Sequence, residues 1–332
     1  MLLSIKNIVF IAIIVFVFAS CEKEDQPIKL PPRGNSSFMS ITLGKDFEKQ
    51  AFLNLKDSQI TLVDINSWDL AFDASPFGSD VYLNGGMDMY AADTKRKNFF
   101  ITNNTDTFNY KWDSPCGCKD SLALSHWCDF NRTGKGNLYM LDRGSYYTTN
   151  RFIEFRLIQA TPYEYLFEYA YIDNQQLIYK VTLPKDPSKT KVYYSFTTPN
   201  TYINFEPQKD KWDLCFLKYR YVFYETNVLT KYVVRGIFIN SSKISVAVDS
   251  TNTFESITPS MAVNNFHYSD MRDVIGYDWK IYNFTTGQYN TRANVNYIIY
   301  NKYDQELYKL RFLDFNLNGV KGTPKFEYVE LN

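Results

Sequence analysis

Polar and apolar residues alternate along many short segments of this chain, with the period of two that is typical of β-strands. The alternation is clearest over residues 151–158, 163–169, 308–315 and 325–331. Turn-forming residues such as Asn84-Gly85-Gly86 lie between the alternating segments. The chain also holds 27 Tyr and 26 Phe, which favour pleated, half-buried surfaces. Because no long stretch keeps a helical period, the pattern predicts an all-β body of antiparallel strands.

The N-terminal segment has a different pattern. Residues 8–19 form an apolar run without charge, and Lys6 precedes it. Such a run cannot cross a hydrocarbon core of about 30 Å, which needs about 20 apolar residues, so residues 1–20 are predicted to be a signal peptide. The run ends in Ala19-Ser20-Cys21, and small residues before a cysteine are typical of lipoprotein processing. We therefore expect lipidation of Cys21, with a buried helix that ends in a chance cysteine as the alternative.

Residues 21–36 are predicted to be the lipidated cysteine and a flexible tether. Glu22-Lys-Glu-Asp-Gln26 is highly charged, and Pro27, Pro31 and Pro32 follow it, a composition that disfavours packing. Acidic residues beside the lipidated cysteine resemble the surface-export signal of Bacteroidetes lipoproteins. This resemblance implies a lipid-anchored protein of the outer membrane on the cell surface, with the periplasmic face as the alternative.

One pentapeptide occurs twice in the chain. Trp68-Asp-Leu-Ala-Phe72 recurs as Trp212-Asp-Leu-Cys-Phe216, and similar strands surround both copies in the same order. The series predicts two homologous β domains over about residues 37–175 and 190–332, with a hinge at residues 183–187. In each copy we expect the Trp, Leu and Phe side chains to face a core, and the Asp to hydrogen-bond a turn or the indole of a neighbour.

The repeated pentapeptide and the C-terminal strands resemble the HmuY family of haem-binding outer-membrane lipoproteins of Bacteroidetes. The family shows a Trp-Asp-[Ile/Leu]-x-Phe strand and an ending similar to residues 308–315 and 321–328 of this chain. The similarity is strongest from about residue 190 to residue 332 and looser in the first half. It implies HmuY-like β domains, capture of haem for iron acquisition, and delivery to a TonB-dependent outer-membrane receptor.

The resemblance also implies that two side chains hold the haem iron, histidines in some relatives and methionines in others. The chain has two histidines, His126 and His267, in different halves, so a His pair within one half is excluded. The candidate iron ligands follow glycine-containing strands in the two halves and are Met87, Met89, Met261, His267 and Met271. For each methionine the alternative is that it fills a gap in a core or is simply exposed.

Cys116, Cys118, His126 and Cys128 form a compact group of metal-binding residue types. Three thiols and an imidazole suit zinc or copper. Disulfides persist in exported proteins, however, so a bridge from Cys128 to Cys116 or Cys118 is the favoured prediction. Cys215 is expected to be a small buried side chain on the strand face opposite the Trp.

Charge and motifs narrow the function further. The 36 basic residues balance 36 acidic residues, so no basic surface for nucleic acid is predicted. The chain lacks Gly-x-Ser-x-Gly, His-Glu-x-x-His, the P-loop and the dinucleotide fingerprint, and we expect a protein that is not an enzyme. A glycosidase would need only two carboxylates and would leave no such motif. The alternative to haem capture is a surface lipoprotein that binds a glycan, a peptide or a receptor partner.

Cys21→Ser is expected to leave an unlipidated precursor, because serine has no thiol to take the lipid whose buried chains hold the protein to a membrane. Cell fractionation and the mass of the intact protein measure this result. Cys215→Ser is the control, since it removes a thiol far from the leader. A Cys21→Ser protein that loses its leader and still partitions with membranes would contradict the predicted anchor.

Overall fold

The computed structural model describes residues 36–100, 105–173, 177–199, 203–223 and 230–331. The predicted signal peptide, Cys21 and the predicted tether up to residue 35 lie outside the described residues. Within these ranges no helix combines the length and the apolar character needed to span a membrane.

The described part of the chain is built almost entirely from antiparallel β-strands, which confirms the all-β prediction. The strands are β1 (Ser37–Ser40), β2 (Lys49–Leu53), β3 (Ile60–Asp64), β4 (Leu70–Asp73), β5 (Val81–Leu83), β6 (Tyr90–Arg96), β7 (Leu138–Asp142), β8 (Phe152–Ala160), β9 (Glu164–Tyr171), β10 (Tyr179–Pro184), β11 (Lys191–Tyr194), β12 (Leu214–Phe223), β13 (Thr230–Ile239), β14 (Ile244–Asp249), β15 (Lys280–Asn283), β16 (Gln288–Thr291), β17 (Asn296–Asn301), β18 (Leu307–Asp314) and β19 (Lys325–Leu331). The helices in the described ranges are short: α1 (Pro259–Asn264) and the 3-10 turns Ile65–Ser67, Gly85–Met87, Lys119–Ser121, Phe254–Ser256 and Leu317–Gly319.

The strands pair in two similar sets of sheets. The first set is a five-stranded sheet in the order β10-β9-β8-β7-β6 and a three-stranded sheet in the order β11-β4-β5. The second set is a five-stranded sheet in the order β1-β19-β18-β17-β14 and a four-stranded sheet in the order β13-β12-β2-β3. In each set the strand after Trp-Asp pairs with the next strand along the chain and with one distant strand. The strand order is thus repeated, and the common origin of the two halves stays a prediction.

The chain crosses between the two sets at places that differ from the predicted boundaries. Strands β1 and β2 lie in the first predicted domain by number, but they pair with β19 and β12. Strand β11 lies in the second predicted domain and pairs with β4. The first core accordingly runs from Leu70 to Phe196, while the second combines residues near Ile41 with residues from Leu214 onward. The predicted hinge begins inside β10, because alternation marks a strand but does not identify its partner.

Trp68 and Trp212 begin the two copies of the pentapeptide, and both are buried, as predicted (8% and 4% exposed). The Leu and Phe side chains of each copy pack in the core of their own half. The two Trp side chains instead pack in a third cluster with Phe52, Tyr193 and Phe205, which we call the central cluster. The expectation that Trp, Leu and Phe share one face is wrong, because each strand begins at the Leu and the alternation does not extend back to the Trp.

The Asp of each copy is a buried ion-pair partner. Asp69 binds the Arg143 guanidinium with 2.8 Å between Oδ1 and Nε, and Asp213 binds the Lys243 ammonium with 2.8 Å between Oδ1 and Nζ. In both copies Oδ2 also accepts a backbone N–H group at 2.7 Å. All four charged residues are almost fully buried. The expected hydrogen bond of the Asp is therefore present, together with a counter-charge that the pentapeptide does not reveal.

An asparagine that follows the next strand hydrogen-bonds to each copy of the pentapeptide. The Nδ2 atom of Asn84 donates to the Trp68 carbonyl at 2.8 Å, and Nδ2 of Asn240 donates to the Trp212 carbonyl at 3.0 Å. Each asparagine backbone N–H group also donates to the carbonyl of the Asp in its own copy, at 3.0 Å and 2.8 Å. The two halves thus repeat a Trp-Asp-Asn arrangement that holds the start of the strand in place.

Asp69→Ala and Asp213→Ala are each expected to lower the free energy of unfolding by about 3–5 kcal/mol, because either change leaves a buried cation without its counter-charge. Urea unfolding followed by circular dichroism measures the loss. Asp64→Ala is the matched control, because Asp64 pairs with Lys49 at an exposed position, where an ion pair contributes about 0–1 kcal/mol. A similar loss in all three variants would show that the buried pairs have no special role.

Candidate functional site

A cavity of about 480 Å³ is lined by residues of two sheets, β11-β4-β5 and β13-β12-β2-β3. We call it the inter-sheet cavity. The variable residue of each pentapeptide, Ala71 or Cys215, lies in the central cluster and lines this cavity. Cys215 therefore packs with Trp212, and the expectation that it lies on the opposite face is wrong. Both variable residues are small, and this leaves space that a large side chain would fill.

Aromatic rings of the central cluster form one wall of the cavity. The ring centroids of Phe52 and Trp212 are 5.1 Å apart, and those of Trp68 and Tyr193 are 5.2 Å apart. Phe205 joins the two pairs, at 5.9 Å from Phe52 and 5.7 Å from Trp68. Both pairs meet edge to face, an arrangement that aromatic rings favour. The wall is therefore apolar and fixed by contacts that cross between the two halves.

Four buried polar atoms of the cavity lining have no hydrogen-bond partner among the described residues. They are Nε1 of Trp68, Nε1 of Trp212, Oε1 of Gln50 and Nε of Arg220. The Nε2 atom of Gln50 is occupied, since it donates to the Cys215 sulfur at 3.0 Å. Leaving a buried donor or acceptor unpaired costs about 1–3 kcal/mol. A ligand that pairs these atoms would recover that free energy.

Lys191, at the start of β11, and Glu206, between β11 and β12, both line the cavity. Glu206 is almost fully buried and accepts hydrogen bonds from the backbone and hydroxyl of Thr190, at 2.8 and 2.7 Å, and from the Tyr193 hydroxyl at 2.8 Å. Lys191 makes no hydrogen bond or ion pair with the residues that the structure describes, and its ammonium lies 5.2 Å from the centroid of the Tyr82 ring. Burial lowers the pKa of Lys191, and the nearby Glu206 carboxylate opposes that shift.

Arg272 and a disulfide-closed loop form another part of the lining. The Arg272 guanidinium donates to the carbonyls of Pro115 and Ser114, at 2.6 and 3.2 Å. It also lies over the rings of Tyr82 and Phe238, at 5.1 and 4.7 Å from their centroids. These contacts hold residues 114–118 of the first half against a residue of the second half. The loop position is therefore fixed at the cavity.

The structure places the five candidate iron ligands at different sites. Met271 lines the inter-sheet cavity and is 46% exposed. Met87 and Met89 are buried, and Met89 packs in the first core, the alternative role of methionine noted above. Met261 lies on α1 and His267 on the exposed segment that follows it, and neither lines the cavity. Among the five candidates, Met271 alone meets the cavity.

The cysteine group forms a different bridge from the predicted one. Cys116 and Cys118 are joined by a disulfide, whereas Cys128 is a free thiol. The predicted bridge to Cys128 is therefore wrong, because Cys118 lies two residues from Cys116 in a turn that brings the sulfurs together. His126 is exposed and lies 3.6 Å from the Asp120 carboxylate. Across the ranges the structure describes, no three His, Cys, Asp or Glu side chains are arranged to hold a metal ion.

Comparisons with known proteins give structural matches of low similarity. No family model matches the chain, and no curated protein sequence matches it. Apo PinO from Porphyromonas gingivitis matches 90% of this chain over 99% of its own, with 7% identity and a TM-score of 0.28. A protein from Bacteroides vulgatus described as HmuY-like and haem-binding matches 91% of this chain over 95% of its own, with 11% identity and a TM-score of 0.23. A protein from Bacteroides fragilis described as a lipoprotein matches 90% of this chain over 93% of its own, with 13% identity and a TM-score of 0.21.

Alkylation of the folded chain from residue 22 onward is expected to label Cys128 alone. Cys215 should react only in denaturant, because it is 3% exposed and burial raises the pKa of its thiol. Cys116 and Cys118 should react only after reduction. Peptide mass spectrometry assigns each label. Protection of Cys128 until reduction, with one cysteine of the loop reactive, would contradict the bridge described here.

Proposed function

We propose that the protein is a lipid-anchored, non-catalytic binding protein that captures haem in the inter-sheet cavity. One observation carries the proposal: the cavity joins a fixed aromatic wall to an exposed methionine. Ligand sites of this kind enclose about 300–1,000 Å³, are lined mainly by apolar and aromatic side chains, and hold a few convergent polar groups. A cavity of about 480 Å³ falls in that range.

Haem suits the chemistry of this lining. The faces of the haem macrocycle are flat and apolar, so one of them can pack on the wall formed by Phe52, Trp68 and Trp212. Thioether sulfur is a known axial ligand of haem iron, and Met271 supplies one at the cavity. The other four candidates lie away from the cavity, so Met271 is the iron ligand that we propose from this chain. The haem carboxylates would be paired by cations of the lining.

The proposed location rests on the N-terminal sequence and on the resemblance to HmuY proteins. Lipidation of Cys21 would hold the body at the outer membrane, on the cell surface in our proposal. From there the protein would pass haem to a TonB-dependent receptor. The lack of the common catalytic motifs in the sequence supports a binding role.

A small polar ligand other than haem, such as a glycan or a peptide end, is the second candidate for the same cavity. The unpartnered atoms of Trp68, Trp212 and Gln50 favour it, because they offer two donors and one acceptor to any ligand that reaches them. Aromatic rings also provide a surface on which a sugar ring can pack.

A titration of the chain from residue 22 onward with ferric and ferrous haem tests the proposed function. We expect a saturable shift of the Soret band, with tighter binding of ferrous haem because a thioether ligand disfavours ferric iron. Met271→Leu keeps the side-chain volume but removes the sulfur, and should weaken ferrous binding about tenfold, equivalent to about 1.4 kcal/mol.

Met261→Leu is the matched control, because Met261 does not line the cavity. Saturable binding that Met271→Leu leaves unchanged would remove Met271 as a ligand and keep the function. Absence of a saturable shift in both oxidation states would overturn haem capture and leave the second candidate.

A further inference from the structure

The indole N–H groups of the repeated Trp residues have no role in holding the fold together. The backbone and the Asp of each pentapeptide are already tied by the ion pairs and asparagine bonds described above. The Trp rings contribute apolar area, which a Phe ring would also supply. Trp127 shows the usual arrangement, since its Nε1 donates to the Ser79 carbonyl at 2.8 Å. The N–H groups of Trp68 and Trp212 instead find no acceptor in the described part of the chain, and both residues line the cavity.

Trp279 gives a useful comparison. Its Nε1 also lacks a partner among the described residues, but the side chain packs in the second core and does not line the cavity. An unpaired indole by itself therefore does not define a site. What distinguishes Trp68 and Trp212 is that both line one cavity, through the same position of a repeated motif.

The acids of the lining are occupied, whereas Lys191 is not. Glu206 accepts three hydrogen bonds, as described above. Asp113 accepts two backbone N–H groups, at 2.7 and 2.8 Å, and Asp270 pairs with Lys302 at 2.9 Å. The Lys191 ammonium has no counter-charge in hydrogen-bond contact within the described ranges. Lys218 of the lining also makes no hydrogen bond or ion pair with the described residues, and Nε of Arg220 is unpaired among them. Within the described ranges the cavity thus offers unpaired cationic groups and two unpaired neutral donors.

We infer that the inter-sheet cavity binds its ligand by a carboxylate group, which accepts hydrogen bonds from the indoles of Trp68 and Trp212 and pairs with the ammonium of Lys191. This inference rests on the proposed use of the cavity as the ligand site. A carboxylate has two oxygens and about four acceptor positions, enough for three donors. A neutral amide would leave the ammonium without a counter-charge.

The test uses two aromatic probe pairs with the chain from residue 22 onward. The first pair is 1-pyrenebutyrate and 1-pyrenebutanol, which differ in the carboxylate and contain no iron. The second pair is haem and its dimethyl ester. In each pair we expect the carboxylate form to bind about tenfold tighter or more, because hydrogen bonds to charged groups are stronger than those to neutral ones. Fluorescence titration measures the first pair and absorbance the second.

Three variants and one control assign the effect to the named donors. Trp68→Phe, Trp212→Phe and Lys191→Met remove a donor and keep most of the side-chain volume. Each should weaken pyrenebutyrate binding several-fold and leave pyrenebutanol binding unchanged, and the triple variant that combines them should abolish the preference for the carboxylate. Trp279→Phe should change neither. Circular dichroism melting confirms that every variant is folded.

The outcomes separate this inference from haem capture. Equal affinity for haem and its diester, with equal affinity for the two pyrene probes, would overturn carboxylate recognition and keep haem capture. A carboxylate preference among the pyrene probes that each single variant reduces and the triple variant abolishes would support the inference even where haem does not bind. A preference that persists in all three variants, or that Trp279→Phe also abolishes, would overturn the assignment to these donors.

Discussion

A buried carboxylate in each copy of the pentapeptide is the constraint on which both halves depend. A charge removed from water is stable only when it is paired and hydrogen-bonded. Asp69 and Asp213 meet this requirement with partners from distant parts of the chain. The backbone N–H partner of Asp69 is 127 residues away, at Phe196, and that of Asp213 is 158 residues away, at Leu55. Each carboxylate therefore holds the end of a distant strand next to its own strand: β11 next to β4 in the first half, and β2 next to β12 in the second.

The cavity follows from the same two strands. Side chains of a strand point alternately to opposite faces, so the Leu and Phe that fill a core fix the direction of the residue between them. That residue is Ala71 in β4 and Cys215 in β12, and it points toward the other half. Both small residues line the inter-sheet cavity, and the two Trp rings belong to the same cluster. Because neither small side chain fills the space between the two sheets, a cavity remains there.

Local features of this fold could be predicted from the sequence, and non-local ones could not. Alternation identified the strands, and the repeated pentapeptide identified two buried tryptophans. No local sequence pattern indicates that β1 and β2 pair with strands of the second half, because strand pairing joins residues far apart in number. Most of the cavity lining was missed for the same reason, since Gln50, Lys191 and Arg272 come from three separate segments. The hydrogen bonds of the asparagines could have been sought from the sequence, because Asn84 begins the turn cluster Asn84-Gly85-Gly86 that the sequence analysis identified.

In the repeated motif the polar groups of Asp and Asn stabilise the fold, whereas the indole N–H group of Trp is the one that we propose binds a ligand. The Asp and Asn atoms are paired within the protein, so their removal would destabilise it whether or not a ligand is present. The indole N–H groups of Trp68 and Trp212 have no partner among the residues that the structure describes, and an unpaired buried donor lowers stability by about 1–3 kcal/mol. A ligand that pairs them restores that free energy and favours the folded state in proportion to its occupancy. Stability of the unliganded fold alone would favour phenylalanine at both positions, and it is the location of both indoles at one cavity that supports the proposed ligand.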